Sequence, residues 1–213
     1  MKEYQREFLD FAIACEALRF GEFTLKSGRV SPYFFNSGFF NTGARISRLA
    51  GYYADAIKAA NLEFDMLFGP AYKGVPLAVA VAITLSQNRE RDVPYAFNRK
   101  EVKKYGEGGL IIGSPLNGRI LIVDDVISAG TAVRESCEIT RSAGATPVGV
   151  AIALDRQERG TGETSAIEEV ERGFGVRVIS VVRLKDLLDY LGEKDKSGRY
   201  FQAISAYREM YGT

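Results

Sequence analysis

Two adjacent aspartates directly follow a short apolar run, and their setting points to a site for a charged sugar. Ile120–Val123 leads into Asp124 and Asp125, and a small-residue segment, Val126–Thr131, then leads into a predicted helix. The N–H groups and hydroxyls of residues 128–131 lie at a helix N-terminus, which favours an anion such as a phosphate monoester. Carboxylates repel phosphate but accept hydrogen bonds from hydroxyls. The pattern therefore predicts a ligand that carries a phosphate beside a vicinal diol, as ribose 5-phosphate does.

The alternative interpretation is that Asp124 and Asp125 only cap the following helix. A cap accounts for one aspartate but not for two beside an anion-binding loop, so the binding interpretation is favoured. The loop lacks the Gly-Lys-Ser/Thr ending of a Walker A motif, and no Gly-x-Gly-x-x-Gly opens a helix.

Three further segments place cations directly after predicted strands. Lys73 lies in the Gly- and Pro-containing connection Phe68–Gly74, four cations and a tyrosine lie in Asn98–Gly109, and Arg156 follows a long apolar run. The alternative in each case is a solvated surface cation, and a charge run is more often a solvated face than a site. Near the N-terminus, Lys26 accompanies an aromatic cluster around Phe34 and Phe35, which by itself could be hydrophobic core.

The composition excludes several classes of chemistry and partner. The chain has no histidine, which rules out Ser-His-Asp and Cys-His triads and the HExxH zinc site. With 28 Lys and Arg against 27 Asp and Glu, the net charge is +1, so no global field attracts nucleic acid or an anionic membrane. No apolar run approaches the roughly 20 residues of a membrane helix. The two cysteines, Cys15 and Cys137, favour reduced, buried thiols, and we expect a cytoplasmic protein.

Hydrophobic periodicity predicts an α/β fold with a doubly wound, mainly parallel sheet flanked by helices. Short apolar runs separated by helix-length segments are typical of parallel strands that are buried on both faces. Ligands bind such sheets beyond the carboxyl ends of the strands, where the polar segments described above lie. The predicted strands are Phe64–Phe68, Val93–Phe97, Ile120–Val123, Val148–Leu154 and Val176–Val182; the predicted helices are Glu3–Leu18, Ile46–Ala60, Val75–Gln87, Ala132–Ala143, Ile167–Glu171 and Tyr200–Met210.

Several of these segments resemble motifs of one enzyme family over essentially the whole chain. Val123–Thr131 resembles the phosphoribosyl pyrophosphate motif of type I phosphoribosyltransferases, with Ser128 where orotate phosphoribosyltransferases usually carry Thr. Phe68–Gly74 resembles the pyrophosphate loop of the orotate enzymes, in which a strained peptide bond is expected at Ala71–Tyr72. Asn98–Gly109 resembles their mobile catalytic loop, although Tyr105 replaces the usual His.

The resemblance implies transfer of a phosphoribosyl group from phosphoribosyl pyrophosphate to orotate, with Mg²⁺ held mainly by the substrate near Asp124 and Asp125. It further implies a single domain over residues 1–213, with a small hood subdomain from about residues 1–40 and the region after 156. In it, Lys26 reaches the reacting centre, Phe34 and Phe35 flank the pyrimidine, and Arg156 meets the orotate carboxylate. The substrate-binding set is Lys26, Phe34, Phe35, Tyr72, Lys73, Arg99, Lys100, Lys103, Asp124, Asp125, Val126, Ile127, Ser128, Ala129, Gly130, Thr131, Ala132 and Arg156; the catalytic set is Lys26, Lys103, Tyr105, Asp124 and Asp125.

The family is also expected to form a homodimer with shared active sites, in which Lys103 and Tyr105 act on the neighbouring subunit. Two alternatives remain at the level of sequence. One is a purine phosphoribosyltransferase, against which the Lys26, Phe34, Phe35 and Arg156 set argues. The other is a regulator of the same fold that senses phosphoribosyl pyrophosphate and binds nucleic acid, which the near-zero net charge makes the weaker interpretation.

Overall fold

The computed structural model describes residues 1–25, 27–87, 91–103, 109–127, 130–159 and 164–213, with the backbone alone at residues 102 and 103. Its centre is a six-stranded sheet that is parallel except for one edge strand, and a separate two-stranded antiparallel hairpin lies beside it. The hairpin strands are β1 (Leu18–Thr24) and β2 (Val30–Phe35), and the central sheet contains β3 (Met66–Gly69), β4 (Tyr95–Lys103), β5 (Gly109–Gly113), β6 (Arg119–Val123), β7 (Thr146–Asp155) and β8 (Arg177–Arg183).

Helices cover both faces of the central sheet, which explains why strands such as β3 and β6 are apolar at nearly every position. Along β6, Ile120 and Ile122 belong to one buried cluster, whereas Leu121 and Val123 belong to the other. Successive side chains of a strand point to opposite faces, so both faces of β6 are core. The helices are α1 (Glu3–Ala14), α2 (Gly43–Ala60), α3 (Gly74–Gln87), α4 (Thr131–Ser142), α5 (Ala166–Phe174), α6 (Leu184–Asp195) and α7 (Arg199–Tyr211).

The strand order places two predicted ligand-binding segments next to each other. The order is β5-β4-β3-β6-β7-β8. After β3, the chain adds β4 and β5 on one side of it and then crosses over to form β6 on the other side. Connections that diverge from neighbouring strands leave a crevice at their carboxyl ends, where open α/β sheets bind ligands. Here the crevice lies between the segment after β3, which contains Lys73, and the segment after β6, which begins with Asp124.

Two glycines allow β3 to turn directly into α3. A Cβ atom on Gly69 would lie 2.2 Å from the carbonyl oxygen of Gly74, and one on Gly74 would lie 2.7 Å from the carbonyl oxygen of Val123. The structure shows that they permit close approach of one backbone segment to another, which brings the Lys73 segment against the end of β6.

Most predicted elements are present, and the exceptions have physical causes. The first helix ends at Ala14 rather than Leu18, because Glu16 has a positive φ of 59° and Leu18 already pairs with Phe35 in the hairpin. Strand β4 continues six residues past Phe97, because β5 offers it an antiparallel partner. The sequence analysis did not identify β1, β2, β5 or α6.

Both cysteines are free and buried, as predicted. None of the described helices is both long enough and apolar enough to span a membrane.

The glycine contacts predict a strong effect of Gly69→Ala on stability. The added methyl group would meet backbone atoms that cannot rotate away, so we expect a loss of about 3 kcal/mol or more in the free energy of unfolding. Urea denaturation of the variant and the wild type measures this difference.

Gly51→Ala is the matched control, because Gly51 lies inside α2 and no atom comes within 4 Å of a Cβ built there. Alanine is the better helix former, so this variant should gain about 0.5 to 1 kcal/mol. Equal effects of the two substitutions would show that the close approach at Gly69 does not constrain the fold.

Candidate active site

The acidic pair is held in place by the backbone of the sheet beyond the last residue of β6. The N–H of Asp124 donates to the carbonyl oxygen of Ala151 at 3.0 Å, and the N–H of Ala153 donates to that of Asp125 at 2.9 Å. Both aspartates are 7% exposed. The two carboxylates therefore project from a fixed backbone at the edge of the crevice.

Asp124 lies beside a buried tyrosine from helix α2. The Tyr53 hydroxyl donates to the main-chain carbonyl oxygen of Asp124 at 2.8 Å, and the Asp124 Oδ1 accepts the N–H of Asp125 at 2.9 Å. Burial and the neighbouring Asp125 charge raise the pKa of Asp124 to about 7. Burial and the two carboxylates also raise the pKa of Tyr53, so its hydroxyl remains a donor at neutral pH.

Asp125 receives donors from three parts of the chain. Its Oδ2 accepts the Lys73 Nζ at 2.7 Å and the Ser37 hydroxyl, also at 2.7 Å, while its Oδ1 accepts the N–H of Val126 at 2.9 Å. Lys73 follows β3, and Ser37 begins a 3₁₀ turn, Ser37–Phe39, after β2. The predicted pyrophosphate cation and one predicted ribose-binding carboxylate are thus in direct contact.

The Lys73 segment contains an unusual peptide bond. The Ala71–Tyr72 peptide is cis, at the position where the resemblance places a strained peptide. The N–H of Ala71 donates to the side-chain oxygen of Asn98 at 2.9 Å, which ties the segment to β4. The Tyr72 side chain is 75% exposed beside the crevice.

The basic segment after Phe97 begins as strand rather than loop, which corrects the sequence analysis. Arg99 and Lys100 lie on β4, which pairs with β5 through Asn98 and Ile111. The Arg99 guanidinium donates to the carbonyl oxygen of Gly109, the first residue of β5, at 3.2 Å. Lys73 and Lys100 both lower the pKa of Asp124, against the larger effects of burial and Asp125, so both cations act on that carboxyl. The Lys103 side chain and Tyr105 lie outside the described residues.

The segment after Asp125 continues into α4 as predicted. Ile127 is buried in the core, so only its backbone is available to a ligand, whereas Thr131 and Ala132 are exposed at the start of the helix. Gly130 is the N-cap of α4, with a positive φ of 72°. Ser128 and Ala129 lie outside the described residues.

Arg156 is paired in advance of any ligand, which the sequence did not indicate. Its Nε and Nη2 donate to the Glu158 Oε1 at 2.8 and 2.6 Å, and its Nη2 also donates to the Ser31 hydroxyl at 3.2 Å. The guanidinium carbon lies 4.6 Å from the ring centre of Tyr33. These contacts fix the guanidinium plane against strand β2. Arg159 donates to the carbonyl oxygen of Met210.

Phe34 and Phe35, which were both predicted to flank one flat ligand, have side chains on opposite faces of β2. Neighbouring residues of a strand point to opposite faces. The Phe35 ring lies in the core 6.4 Å from that of Phe8, whereas the Phe34 ring stacks on Phe23 at 5.4 Å. Only one of the two rings can therefore face a ligand. Lys26, the other predicted residue of this region, lies outside the described residues.

Comparison with known proteins identifies the family of this chain. A family model described as phosphoribosyl transferase domain matches residues 39–170. The chain is similar to the orotate phosphoribosyltransferase of Klebsiella pneumoniae (strain 342), with 58% identity over 212 residues, and to that of Thioalkalivibrio sulfidiphilus (strain HL-EbGR7), with 59% identity. Each match covers 100% of both proteins.

The fold is also similar to that of a solved structure. The crystal structure of an orotate phosphoribosyltransferase from Francisella tularensis superposes with a TM-score of 0.88 at 39% identity, covering 97% of this chain and 100% of that one. Identity at this level over the full length, together with the shared fold, is decisive. The chain belongs to the orotate phosphoribosyltransferase family.

Proposed function

We propose that this protein transfers the 5-phosphoribosyl group from phosphoribosyl pyrophosphate to orotate, giving orotidine 5'-monophosphate and pyrophosphate in de novo pyrimidine biosynthesis. The observation that carries the proposal is the contact at Asp125, where a carboxylate suited to a ribose hydroxyl meets Lys73, a cation suited to pyrophosphate. A ligand that carries a pyrophosphate on the ribose carbon next to the diol fits that juxtaposition.

The ribose 5-phosphate occupies the segment after β6. The carboxylates of Asp124 and Asp125 accept hydrogen bonds from the ribose diol, and the turn that leads into α4 offers N–H groups and a helix N-terminus to the phosphate. The residues assigned to this part are Asp124, Asp125, Val126, Ile127, Ser128, Ala129, Gly130, Thr131 and Ala132.

The pyrophosphate is surrounded by cations from two segments. Lys73 is 55% exposed in its side chain, so it can move from Asp125 to an incoming anion. Arg99 and Lys100 lie on β4, and Lys103 is assigned to the same group from the family resemblance. Tyr72, exposed next to Lys73, completes the binding surface.

The acidic pair fits a magnesium ion that is held mainly by the substrate. Among the described residues, no group of three or more Asp, Glu, Cys or His side chains could hold a metal ion by itself. Mg²⁺ is commonly bound by one or two carboxylates together with substrate phosphates and water, so Asp124 and Asp125 are sufficient. Bound Mg²⁺ would neutralise charge on the departing pyrophosphate.

The base lies between the sheet and the hairpin. We propose that β1 and β2, with residues after 156, form a hood in which Arg156 meets the orotate carboxylate as a planar donor. Lys26 is assigned to the reacting centre. Phe34 is assigned to the flat pyrimidine face, and Phe35 contributes through its backbone while its ring fills the core.

In the proposed reaction, the bond between the anomeric carbon and pyrophosphate breaks, and pyrophosphate leaves with the electron pair. A ring nitrogen of orotate forms the new bond to that carbon and loses its proton, which passes to the departing pyrophosphate. Positive charge develops on the ribose, and the carboxylates of Asp124 and Asp125 stabilise it while Lys73, Arg99 and Lys100 stabilise the leaving group. Because pyrophosphate is itself a base, the absence of histidine from the chain is no obstacle.

We further propose a homodimer in which Lys103 and Tyr105 complete the site of the neighbouring subunit, as the family resemblance implies. The proposed location is the cytoplasm, which the two free, buried cysteines support. The net charge of +1 supports small-molecule substrates over nucleic acid or a membrane surface.

The first test is substrate use and its dependence on Arg156. The wild type should consume orotate, but not hypoxanthine, when phosphoribosyl pyrophosphate and Mg²⁺ are supplied. Arg156→Ala should lose about 2 to 5 kcal/mol of orotate binding by calorimetry and keep the affinity for phosphoribosyl pyrophosphate, because the guanidinium faces the carboxylate of the base. Its preference for orotate over uracil, which lacks that carboxylate, should largely disappear.

Arg119→Ala is the control, since Arg119 forms an exposed ion pair with Asp65 at the opposite end of β6. It should retain wild-type kinetics. An Arg156→Ala protein that still discriminates orotate from uracil would remove Arg156 from the base site.

The second prediction concerns Asp124 and pH. The folded pKa of about 7 lies above the unfolded value of ~3.9, so the folded state retains a proton between the two and loses stability as pH rises through that range. Asp124→Asn does not ionise and should be more stable than the wild type by about 4 kcal/mol near pH 8, with the difference vanishing near pH 4. Its turnover should fall by about tenfold or more, since the ribose loses a charged acceptor.

Denaturation at both pH values, together with turnover, measures these effects. Asp189→Asn, at an exposed position of α6, should change neither. A variant that loses stability at pH 8 while keeping normal turnover would support the helix-cap interpretation instead.

The third prediction tests the shared site. Lys103→Ala and Asp125→Asn should each be inactive alone. After subunit exchange, a heterodimer has one site with both residues intact, so activity should return to at most about half of the wild-type value by the two-fold symmetry.

A mixture of Asp124→Asn with Asp125→Asn is the matched control, because every site in that heterodimer still lacks one aspartate. Its activity should not rise above that of the two parents. If the first mixture also stays inactive although native mass spectrometry shows exchange, the loop serves its own subunit.

A further inference from the structure

The Oδ2 atom of Asp125 has two donors of different kinds, and only one of them has a role in the proposed reaction. Lys73 is assigned to the pyrophosphate. Ser37, whose hydroxyl donates to the same oxygen at 2.7 Å, has none. It belongs to the segment that links the hairpin to α2 and lies 88 residues before Asp125.

The Ser37 hydroxyl is held by a fixed backbone. Asn36 precedes it, and its side-chain oxygen accepts the N–H of Gly38 at 3.0 Å, while its own N–H donates to the carbonyl oxygen of Ala17 at 2.8 Å. The N–H of Phe40 donates to the Ser37 carbonyl oxygen at 3.0 Å, which closes the 3₁₀ turn. Serine has a single side-chain torsion before its hydroxyl, so this turn fixes the donor within a narrow range.

Lys73, by contrast, is a mobile and charged donor. Its ammonium group lies at the end of a long, half-exposed side chain, and it carries a charge that an incoming pyrophosphate attracts. When Lys73 turns to the pyrophosphate, Asp125 loses its strongest donor at the moment when it must accept hydrogen bonds from the ribose. The short Ser37 side chain cannot reach the anion, so its hydroxyl keeps its hydrogen bond to the Oδ2 atom of Asp125.

We propose that Ser37 is a positioning residue, which keeps the Asp125 carboxylate oriented toward the ribose after Lys73 has moved to the pyrophosphate. The inference rests on the proposed function. In the free protein, Lys73 compensates for a missing hydroxyl. In the complex with phosphoribosyl pyrophosphate it does not, so the contribution of Ser37 is confined to states with that substrate bound.

The test compares Ser37→Ala and Ser37→Thr with the wild type. A hydrogen bond to a charged group is strong enough that Ser37→Ala should raise the KM for phosphoribosyl pyrophosphate about tenfold, with the KM for orotate unchanged. Ser37→Thr keeps the hydroxyl and should stay within about twofold of the wild type. The melting temperature without ligand should be the same for all three proteins, whereas the rise that phosphoribosyl pyrophosphate causes should be smaller for Ser37→Ala.

Ser197→Ala is the matched control, because the Ser197 hydroxyl donates to the Asp195 carboxylate at 2.6 Å on an exposed turn between α6 and α7. It removes the same type of hydrogen bond and should leave the kinetics unchanged.

Three results would overturn the proposal: wild-type kinetics for Ser37→Ala, an equal loss for both substrates accompanied by a lower ligand-free melting temperature, or a failure of Ser37→Thr to restore binding. A wild type that does not turn over orotate would instead refute the proposed function. Calorimetry with phosphoribosyl pyrophosphate alone would still decide the role of Ser37.

Discussion

The whole site depends on the backbone ladder that continues past β6 into the two aspartates. Because the N–H of Asp124 and the carbonyl oxygen of Asp125 are both bonded to β7, the carboxylates cannot withdraw from the crevice to find water. Their burial has a cost, which is visible in the raised pKa of Asp124. Burial of apolar side chains on both faces of the sheet offsets that cost. The site in turn has two hydrogen-bond acceptors of fixed position.

Each of two cations of the site is paired with a carboxylate of the protein. Lys73 is paired with Asp125, and Arg156 is paired with Glu158, so neither carries an isolated charge in the free protein. Leaving a partly buried charge unpaired would be unfavourable, yet a ligand anion needs a cation that is already in position. A protein carboxylate that holds each cation resolves the conflict, because the ligand has only to replace or share an existing partner. In the proposed reaction, base recognition and leaving-group recognition would use the same arrangement at two places.

The sequence predicts the parts of this arrangement that are local along the chain. The end of β6, the aspartates and the turn into α4 are contiguous, and a strand that is buried on both faces has a clear apolar signature. Ser37 and Tyr53 could not be identified in this way, since their bonds to the aspartates cross 88 and 71 residues of chain. The extension of β4 was missed for a similar reason, because its basic residues resemble a loop until the partner strand β5 is known. The alternation of Phe34 and Phe35 was predictable in principle, but only after their segment had been recognised as a strand.

The burial of Tyr33 also has a consequence for the order in which the protein can fold. This fully buried side chain of the hairpin lies against Arg156, Glu158 and Tyr207, and its hydroxyl bonds to Glu158 across 125 residues of chain. During synthesis the hairpin leaves the ribosome long before those partners exist. Contacts of such long range slow folding, and Tyr33 lacks these partners in the meantime. On the ribosome, this part of the hairpin therefore stays incompletely packed until nearly all of the chain has been translated.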